Sequence, residues 1–416
     1  MTPAMASRRI AIIAFFGGLG GGLVFPILPA LGLKLGIPAF MIGLILSANR
    51  ISRVIFNVPA GHVIGRLGPR LTLGGALCIE TVGVLGYSAA LHFGHAMWWL
   101  LAGRALFGIG TAFLLVGAQA AVLSLSDRAD RGRKTSTVRV AISAAVPAGL
   151  VIGGVLADVF SDDVAFLTGA AITFVGSIVA LIFLPRASVP ADAALPMSRG
   201  QGRLAALLSS PGCPFIVAAW GFNLLVFLTM QGVLLATMVL LVKHREIYLF
   251  GMQARGTSGL VMAVLIGCSA LMAVGIGRAI DKVALRATLP VPALGVFAAG
   301  FGTLAVAHST LVLILGAVFV GLSFNGITLP MMALLGDVTS EGQHGPAVGI
   351  YQLFGDIGGT IGPIAGIEVG TNIGLEPLYL AIAAVIVFAL PFALWLRRYE
   401  QARLVRRGAE AQARGG

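Results

Sequence analysis

The chain alternates long uncharged, apolar runs with short segments that hold most of its charge. Residues 10–33 form 24 consecutive uncharged residues, and the run between Arg286 and Asp337 contains 50. A helix that crosses about 30 Å of hydrocarbon needs about 20 mainly apolar residues. Because the longer run exceeds one crossing, we interpret His308-Ser309 as its turn. The pattern therefore predicts transmembrane helices.

The same length criterion predicts twelve crossings, which we number spans 1 to 12. They lie near residues 10–33, 39–63, 71–92, 97–123, 138–158 and 164–185, and near 213–242, 256–280, 287–307, 310–336, 345–369 and 377–397. Continuous apolar runs favour helices over the alternating strands of a membrane barrel. The predicted fold class is an all-α membrane protein with twelve transmembrane helices.

The composition excludes a soluble fold. Hydrophobic residues make up 58% of the chain and charged residues only 11%, whereas a soluble domain has roughly 25% charged residues. The chain has a net charge of +12, and its basic residues lie mostly between the apolar runs. This distribution argues against a nucleic-acid partner. Neither a metal-ligand cluster nor a phosphate-binding loop occurs in the sequence. We expect no cofactor, no metal and no enzymatic activity.

The distribution of Lys and Arg predicts the orientation. Of the 28 basic residues, 20 lie in the termini and connections of one side, four in connections of the other side, and four within or beside spans. Because basic connections stay in the cytoplasm, both termini are predicted to be cytoplasmic. The absence of glycosylation sequons favours a bacterial plasma (inner) membrane. We expect the chain to be a monomer surrounded by the lipid bilayer.

Composition divides the chain into four segments. Residues 1–187 and 212–398 each hold six spans, and residues 188–211 read as a flexible cytoplasmic linker. Residues 399–416 form a basic cytoplasmic tail. The predicted organisation is therefore two six-helix bundles joined by a linker.

The two six-span segments contain a repeat. Gly61-His-Val-Ile-Gly65-Arg66-Leu-Gly-Pro-Arg70 after span 2 recurs, 216 residues later, as Gly277-Arg-Ala-Ile-Asp281-Lys282-Val-Ala-Leu-Arg286 after span 8. The same offset of 216 separates Pro147 from Pro363 and Gly110 from Gly326. Duplicated bundles of this kind are typical of secondary transporters.

On these residues the chain resembles the major facilitator superfamily over about residues 8–400. Segment 61–70 is similar to the family's cytoplasmic gating motif, with Gly65 in place of its acid, and the second copy retains Asp281. Arg104-x-x-x-Gly108-x-Gly110-x-Ala112 in span 4 resembles its buried-arginine motif. Pro147 and Pro363 lie in segments that resemble a sequence element of the family that is associated with exporters. Phe25-Pro26-Ile-Leu-Pro29 looks like a pattern of twelve-helix drug:proton antiporters.

The resemblance implies two pseudo-symmetric bundles around a central cavity lined by spans 1, 4, 7 and 10. It implies a secondary active transporter that exports small amphiphilic compounds by alternating access, coupled to protons. Aromatic and amide side chains on the expected cavity spans are the candidate substrate contacts: Asn223, Phe227, Gln231 and Asn325.

Few ionisable side chains lie inside the predicted spans, where each costs at least about 2.5 to 3.5 kcal/mol. Arg50, Arg53 and Asn57 form a polar stripe on span 2, and Glu80 lies within span 3. Three roles for the arginines stay open. They staple helices together by pairing with Glu80, they bind an anionic substrate, or they pair with an acid of the second half.

Span 11 contains such an acid. Gln352, Asp356 and Thr360 follow one helix face at a spacing of four residues. The resemblance places spans 2 and 11 opposite each other, so Asp356 is within reach of Arg50 or Arg53. A pair that breaks on protonation would couple a proton to the change of access.

Two other transport functions stay open. A proton-coupled carrier of small organic anions is motivated by Arg50, Arg53 and Arg104, and a lipid carrier is the third candidate. A scaffold or sensor without flux explains neither the buried charges nor the glycine-rich spans.

Overall fold

The computed structural model describes residues 3–124, 131–184, 207, 209, 212–280, 282–283, 285–339 and 344–415. Every regular element within these ranges is a helix. Helices suit a bilayer because they satisfy the polar backbone groups internally, where no water is present to do so. The predicted all-α fold class is confirmed.

The first half of the described chain consists of six α-helices. They are α1 (Pro3–Leu23), α2 (Leu28–Lys34), α3 (Ala39–His92), α4 (Ala96–Ser124), α5 (Arg131–Val159) and α6 (Asp162–Phe183). A turn at residues 24–27 separates α1 from α2, which together form span 1. α3 contains spans 2 and 3 and is interrupted at Gly68. The φ of 73° at Gly68 lies in the left-handed region, which glycine adopts without a steric penalty. Pro69 follows and cannot donate a backbone hydrogen bond.

The second half contains a π-helical segment and a 3₁₀ turn besides its α-helices. Its elements are α7 (Cys213–Val226), a π-helical segment (Phe227–Leu234), α8 (Leu235–Arg245), α9 (Ala254–Ile280), a 3₁₀ turn (Arg286–Thr288), α10 (Pro290–Ala305), α11 (Thr310–Val338), α12 (His344–Asn372) and α13 (Leu375–Gly415). α7, the π-helical segment and α8 form span 7. Ser309 caps α11 by accepting the Val312 N–H. The predicted turn at His308-Ser309 is thus confirmed.

Eleven helical segments of the described chain are long and apolar enough to cross a membrane. They correspond to every predicted span except span 11. The helix of span 11, α12, contains the polar residues Gln352, Asp356 and Glu368. The chain is therefore a multi-pass membrane protein, and α12 is its most polar predicted crossing.

The described residues form two compact units. The first comprises those within 1–196, 231–264 and 359–372, and the second those within 197–230, 265–358 and 373–416. The division passes through the π-helical segment, α9 and α12. One part of each of these three helices therefore packs in the first unit, together with the helices of the first half.

Candidate transport site

Glycines line the contact between α3 and α4. A side chain at Gly83 would collide with the backbone of Gly103, and one at Gly110 would collide with Ala76 and Glu80. Backbones that approach this closely exclude lipid and bulk water from the seam. A polar side chain within the seam must therefore find its partners in the protein.

Glu80 is an acid that this seam encloses. Its side chain is fully buried, and its Oε1 accepts a hydrogen bond of 3.0 Å from Thr111 of α4. Its Oε2 is buried without a hydrogen-bond partner among the described residues and faces Gly17 of α1. Glu80 thus bonds a threonine and forms no pair with Arg50 or Arg53.

Arg104 is a buried cation two turns before Thr111 on α4. Its guanidinium carbon lies 4.9 Å from the centroid of the Phe25 ring and 6.0 Å from that of Phe107. Within the described ranges, its buried Nε and Nη1 have no hydrogen-bond partner. Aromatic rings attract a cation but supply no acceptor atoms, and the buried Tyr87 hydroxyl is a polar neighbour of the guanidinium. A buried cation with two unsatisfied nitrogens is costly, which points to a functional role.

Arg50 contacts segments that lie far along the chain, within the first unit. Its Nη2 donates to Oε1 of Gln231 at 2.8 Å, and its guanidinium lies where a side chain of Gly359 would stand. Ser47 donates to the Thr360 carbonyl at 2.5 Å. The polar stripe of span 2 therefore lies against α12 and the π-helical segment. The pairing of Arg50 with Asp356 stays a prediction.

The π-helical segment is a feature that the apolar pattern of span 7 does not predict. Such wide turns are rare, and they occur frequently at functional sites. This one contains both Gln231, which contacts Arg50, and the point at which the two compact units divide. The polar pair Gln231-Gly232 inside an apolar run is the sequence signal that would have drawn attention to it.

Asn223 and Asn325 bond other helices of the second unit. Nδ2 of Asn223 donates to the Tyr351 carbonyl at 2.6 Å, and the Tyr351 hydroxyl donates to the Thr328 carbonyl at 2.9 Å. Nδ2 of Asn325 donates to both the carbonyl and the hydroxyl of Ser269, each at 2.8 Å. These bonds stabilise the packing of α7, α9, α11 and α12. A substrate contact by either amide stays a prediction.

The remaining candidates of the spans differ in exposure. Phe227 packs against Phe324 with ring centroids 5.3 Å apart. Arg53, Asn57 and Asp356 are half-buried, and Gln352 is exposed. Their roles in binding or coupling stay predictions.

The second copy of the gating motif is held by acids from two other helices. Nε of Arg286 pairs with Oδ2 of Asp337 at 2.7 Å. The Glu400 carboxylate accepts the N–H groups of Arg286 and Ala287 at 3.2 and 2.9 Å. Asp281, the acid that the second copy of the motif retains, lies outside the described residues. At the other motif positions, Gly61 is buried and Arg70 is half-buried. The exposed positions are Arg66, Gly277 and Lys282.

Pro147 and Pro363 lie within helices that pack through glycines. Close to Pro147, Gly149 of α5 lies against the Leu19 carbonyl of α1. The carbonyl of Pro363 in α12 lies against Gly43 of α3. Contacts between backbones leave few interlocked side chains to separate.

Comparison with known proteins connects this architecture to a family. The sequence profile of the Major Facilitator Superfamily matches residues 10–302 and 251–415. The chain is 26% identical over 404 residues to the multi-drug resistance efflux pump PmrA of Streptococcus pneumoniae, covering 92% of this chain and 94% of the pump. It is 26% identical over 172 residues to the quinolone resistance protein NorA of Staphylococcus aureus, covering 41% and 43% of the two chains.

Solved structures share the fold. A bacterial homolog of the human lysosomal transporter Spinster, in an inward-facing conformation, aligns with a TM-score of 0.74 at 13% identity over 95% of this chain and 97% of its own. The nucleoside transporter NupG aligns with a TM-score of 0.75 at 13% identity over 94% and 98%. At such low identity the likeness concerns the fold alone.

Proposed function

Because the chain belongs to the Major Facilitator Superfamily, we propose that it is a secondary active transporter that exports small amphiphilic compounds in exchange for protons, by alternating access. Relatives that are named multidrug efflux pumps support export. The Lys and Arg distribution supports an inner-membrane protein with both termini in the cytoplasm. No cofactor is needed, since the proton gradient supplies the free energy.

The proposal of proton coupling rests on the full burial of the Glu80 carboxyl group. A carboxylate is costly in a dry site unless several donors stabilise its charge. Among the described residues, Glu80 has the Thr111 hydroxyl beside it, and this hydroxyl also lies 2.9 Å from the Phe107 carbonyl. The protonated acid fits these surroundings. Contact with water would favour release of the proton, so a change in hydration of this site is sufficient to load and unload it.

On this proposal, water reaches Glu80 from the side of Gly17 when the helices separate. Oε2 faces this glycine, and Leu77 and Leu114 complete the wall at that point. By resemblance, spans 1 and 4 face the transport pathway. A small separation of α1 from α4 would bring water to Oε2, and closure would again favour the neutral acid.

Aromatic side chains of the second unit suit an amphiphilic substrate. Phe227 and Phe324 provide aromatic surface, with ring centroids 5.3 Å apart. Aromatic surfaces accept varied apolar groups, while few polar groups orient them. The second candidate function is transport of small organic anions, which the half-buried guanidinium of Arg50 favours.

Accumulation in reconstituted vesicles tests the proposal. Wild-type protein should concentrate a lipophilic cationic dye inside vesicles with an acidic interior, and lose this ability when the pH gradient is collapsed. Glu80→Gln keeps the shape of the side chain but removes its titration. We expect gradient-driven accumulation to fall by about tenfold or more, while downhill flux of the dye persists.

Each outcome decides a different part of the proposal. Wild-type accumulation by Glu80→Gln would remove Glu80 from the coupling. Failure of the wild type to move the dye, together with transport of an organic anion, would favour the second candidate function. Thermal unfolding of both proteins in detergent verifies that the comparison is made between folded molecules.

A further inference from the structure

A cluster of charged side chains joins α5 and α6 to the start of α9 within the first unit. Asp162, the first residue of α6, accepts a hydrogen bond of 2.9 Å from Nη2 of Arg255. Asp158, in the last turn of α5, accepts the Gly256 N–H at 2.6 Å. Both acids therefore bind the first turn of α9, where backbone N–H groups and the helix dipole favour negative charge.

The helices beneath this cluster meet backbone to backbone. A side chain at Gly154 of α5 would collide with the Arg255 carbonyl, and one at Gly259 of α9 would collide with the Leu150 carbonyl. Interdigitated side chains are thus replaced by glycines at the contact. The charged cluster therefore supplies directional bonds at the end of a helix contact that has few interdigitated side chains.

The cluster is incompletely satisfied. Oδ1 of Asp158, Oδ1 of Asp162 and Nε of Arg255 are buried and have no hydrogen-bond partner in the part of the chain that the structure describes. The side chains of Asp162 and Arg255 are only 10% and 19% exposed. A permanent staple normally satisfies all of its buried polar atoms. Here, opening would break one ion pair and the bond from the Gly256 N–H to Asp158, but would hydrate three unsatisfied atoms, so the free-energy difference between closed and open is small.

We propose that Asp158, Asp162 and Arg255 form a gate latch, which holds α9 against α5 and α6 in one access state and releases it in the other. The inference rests on the proposed alternating-access function. The latch lies at the same end of the helices as the turn between α3 and α4, because the neighbouring Asp163 accepts hydrogen bonds from Ser88 and bonds His92 near that turn. On the proposed topology this end faces the outside. Lys34 is the other charged group that acts on Asp162 from a neighbouring helix.

Ser258 gives a local reporter of the latch. It is fully buried beside the glycine contact, and its hydroxyl donates to the Arg255 carbonyl at 2.9 Å. Ser258→Cys preserves size and tests exposure with a charged thiol reagent. The native thiols Cys78, Cys213 and Cys268 are first replaced by Ala. Nanodiscs expose both faces of the protein, so labelling does not depend on the topology.

The latch predicts which substitutions raise the labelling rate at position 258. Asp162→Asn should raise it by about tenfold or more, since removing one partner leaves the other charge buried and unpaired. Exchanging the two charges, Asp162→Arg with Arg255→Asp, should return the rate to within about threefold of the parent. The matched control is Asp163→Asn, which removes an adjacent acid that does not contact α9 and should leave the rate unchanged.

Equal labelling of Asp162→Asn, Asp163→Asn and the parent would overturn the latch. If Asp162→Asn does not fold, the charge-exchanged protein decides the question, because a latch requires it to fold and to protect position 258. The assay uses neither substrate nor proton gradient. A failed latch therefore leaves the proposed transport function standing, and absence of dye transport by the wild type leaves the labelling result interpretable.

Discussion

The seam between α3 and α4 and the seam between α10 and α11 share their backbone packing and differ in their chemistry. Gly83 lies against the N–H of Phe107 in the first seam, and Gly300 lies against the N–H of Val320 in the second. Both halves thus use glycine for close approach. The first seam, however, encloses an acid and a cation, whereas the second is apolar at the corresponding helix positions.

The internal repeat identifies these positions. The offset of 216 residues places Val320 where α4 has Arg104, and Ile327 where α4 has Thr111. Val320 and Ile327 are fully buried, as are Phe297 and Phe301 on α10. The apolar seam shows that this helix contact does not need charge for stability. The charges of the first seam therefore require a functional explanation, which the proposed proton coupling provides.

A charge placed in the apolar seam should have the largest effect. Val320→Arg is expected to lower the free energy of unfolding by about 3 kcal/mol or more, because the seam offers no partner for a guanidinium. Val320→Met is the control for added length without charge. Thermal unfolding in detergent measures both. Equal stability of the two variants would show that the second seam tolerates a buried charge. The difference between the two seams would then not reflect a cost in stability.

Removing the cation of the first seam should separate function from stability. Arg104→Leu eliminates two unpartnered buried nitrogens, so we expect the melting temperature to be unchanged or raised. Dye accumulation should fall by about tenfold or more, as for loss of a coupled site. Large destabilisation with unchanged transport per folded molecule would make Arg104 a structural residue.

Thr111→Val should weaken coupled transport without abolishing it. The Thr111 hydroxyl lies 3.0 Å from Oε1 of Glu80 and 2.9 Å from the Phe107 carbonyl. Its loss removes a polar group beside Glu80, so we expect gradient-driven dye accumulation to fall by about fivefold while downhill flux persists. Unchanged accumulation would show that this hydroxyl has no part in the coupling. Thr81→Val, in the same half, controls for the loss of a buried hydroxyl.

Asp356→Asn should have the smallest effect on coupling. Asp356 is half-buried on α12, whereas Glu80 is fully buried. We expect a rate reduced by about threefold or less, with the response to the pH gradient retained. Loss of that response would instead support the predicted switch between Asp356 and an arginine of span 2. The flux assay with the gradient on and off distinguishes these results.

The spans could be predicted from sequence because a crossing is a property of one continuous apolar run. Glu80 could be selected as a candidate for a related reason, since an acid is rare in such a run. Its partner could not be predicted. Whether Glu80 meets an arginine of span 2 or Thr111 of span 4 depends on how each helix is rotated about its axis, and uniformly apolar helices carry little information on rotation.

Two other features depend on three-dimensional packing. The π-helical segment reflects how span 7 fits its neighbours, and apart from Gln231 and Gly232 its amino-acid composition resembles that of an ordinary apolar helix. Asp158, Asp162 and Arg255 lie at helix ends, where charges usually face water, so their sequence positions do not indicate burial. Only the approach of α9 to α5 through glycines makes these three charges a cluster.

Proton release on binding of the dye tests the central claim most directly. Purified wild-type protein in weakly buffered detergent solution should release about one proton per bound dye, because an exchanged proton and a substrate oppose each other's binding. Glu80→Gln should bind the dye and release none, while Asp356→Asn should release as much as the wild type. Wild-type proton release by a folded, dye-binding Glu80→Gln protein would contradict the assignment of Glu80 as the proton carrier.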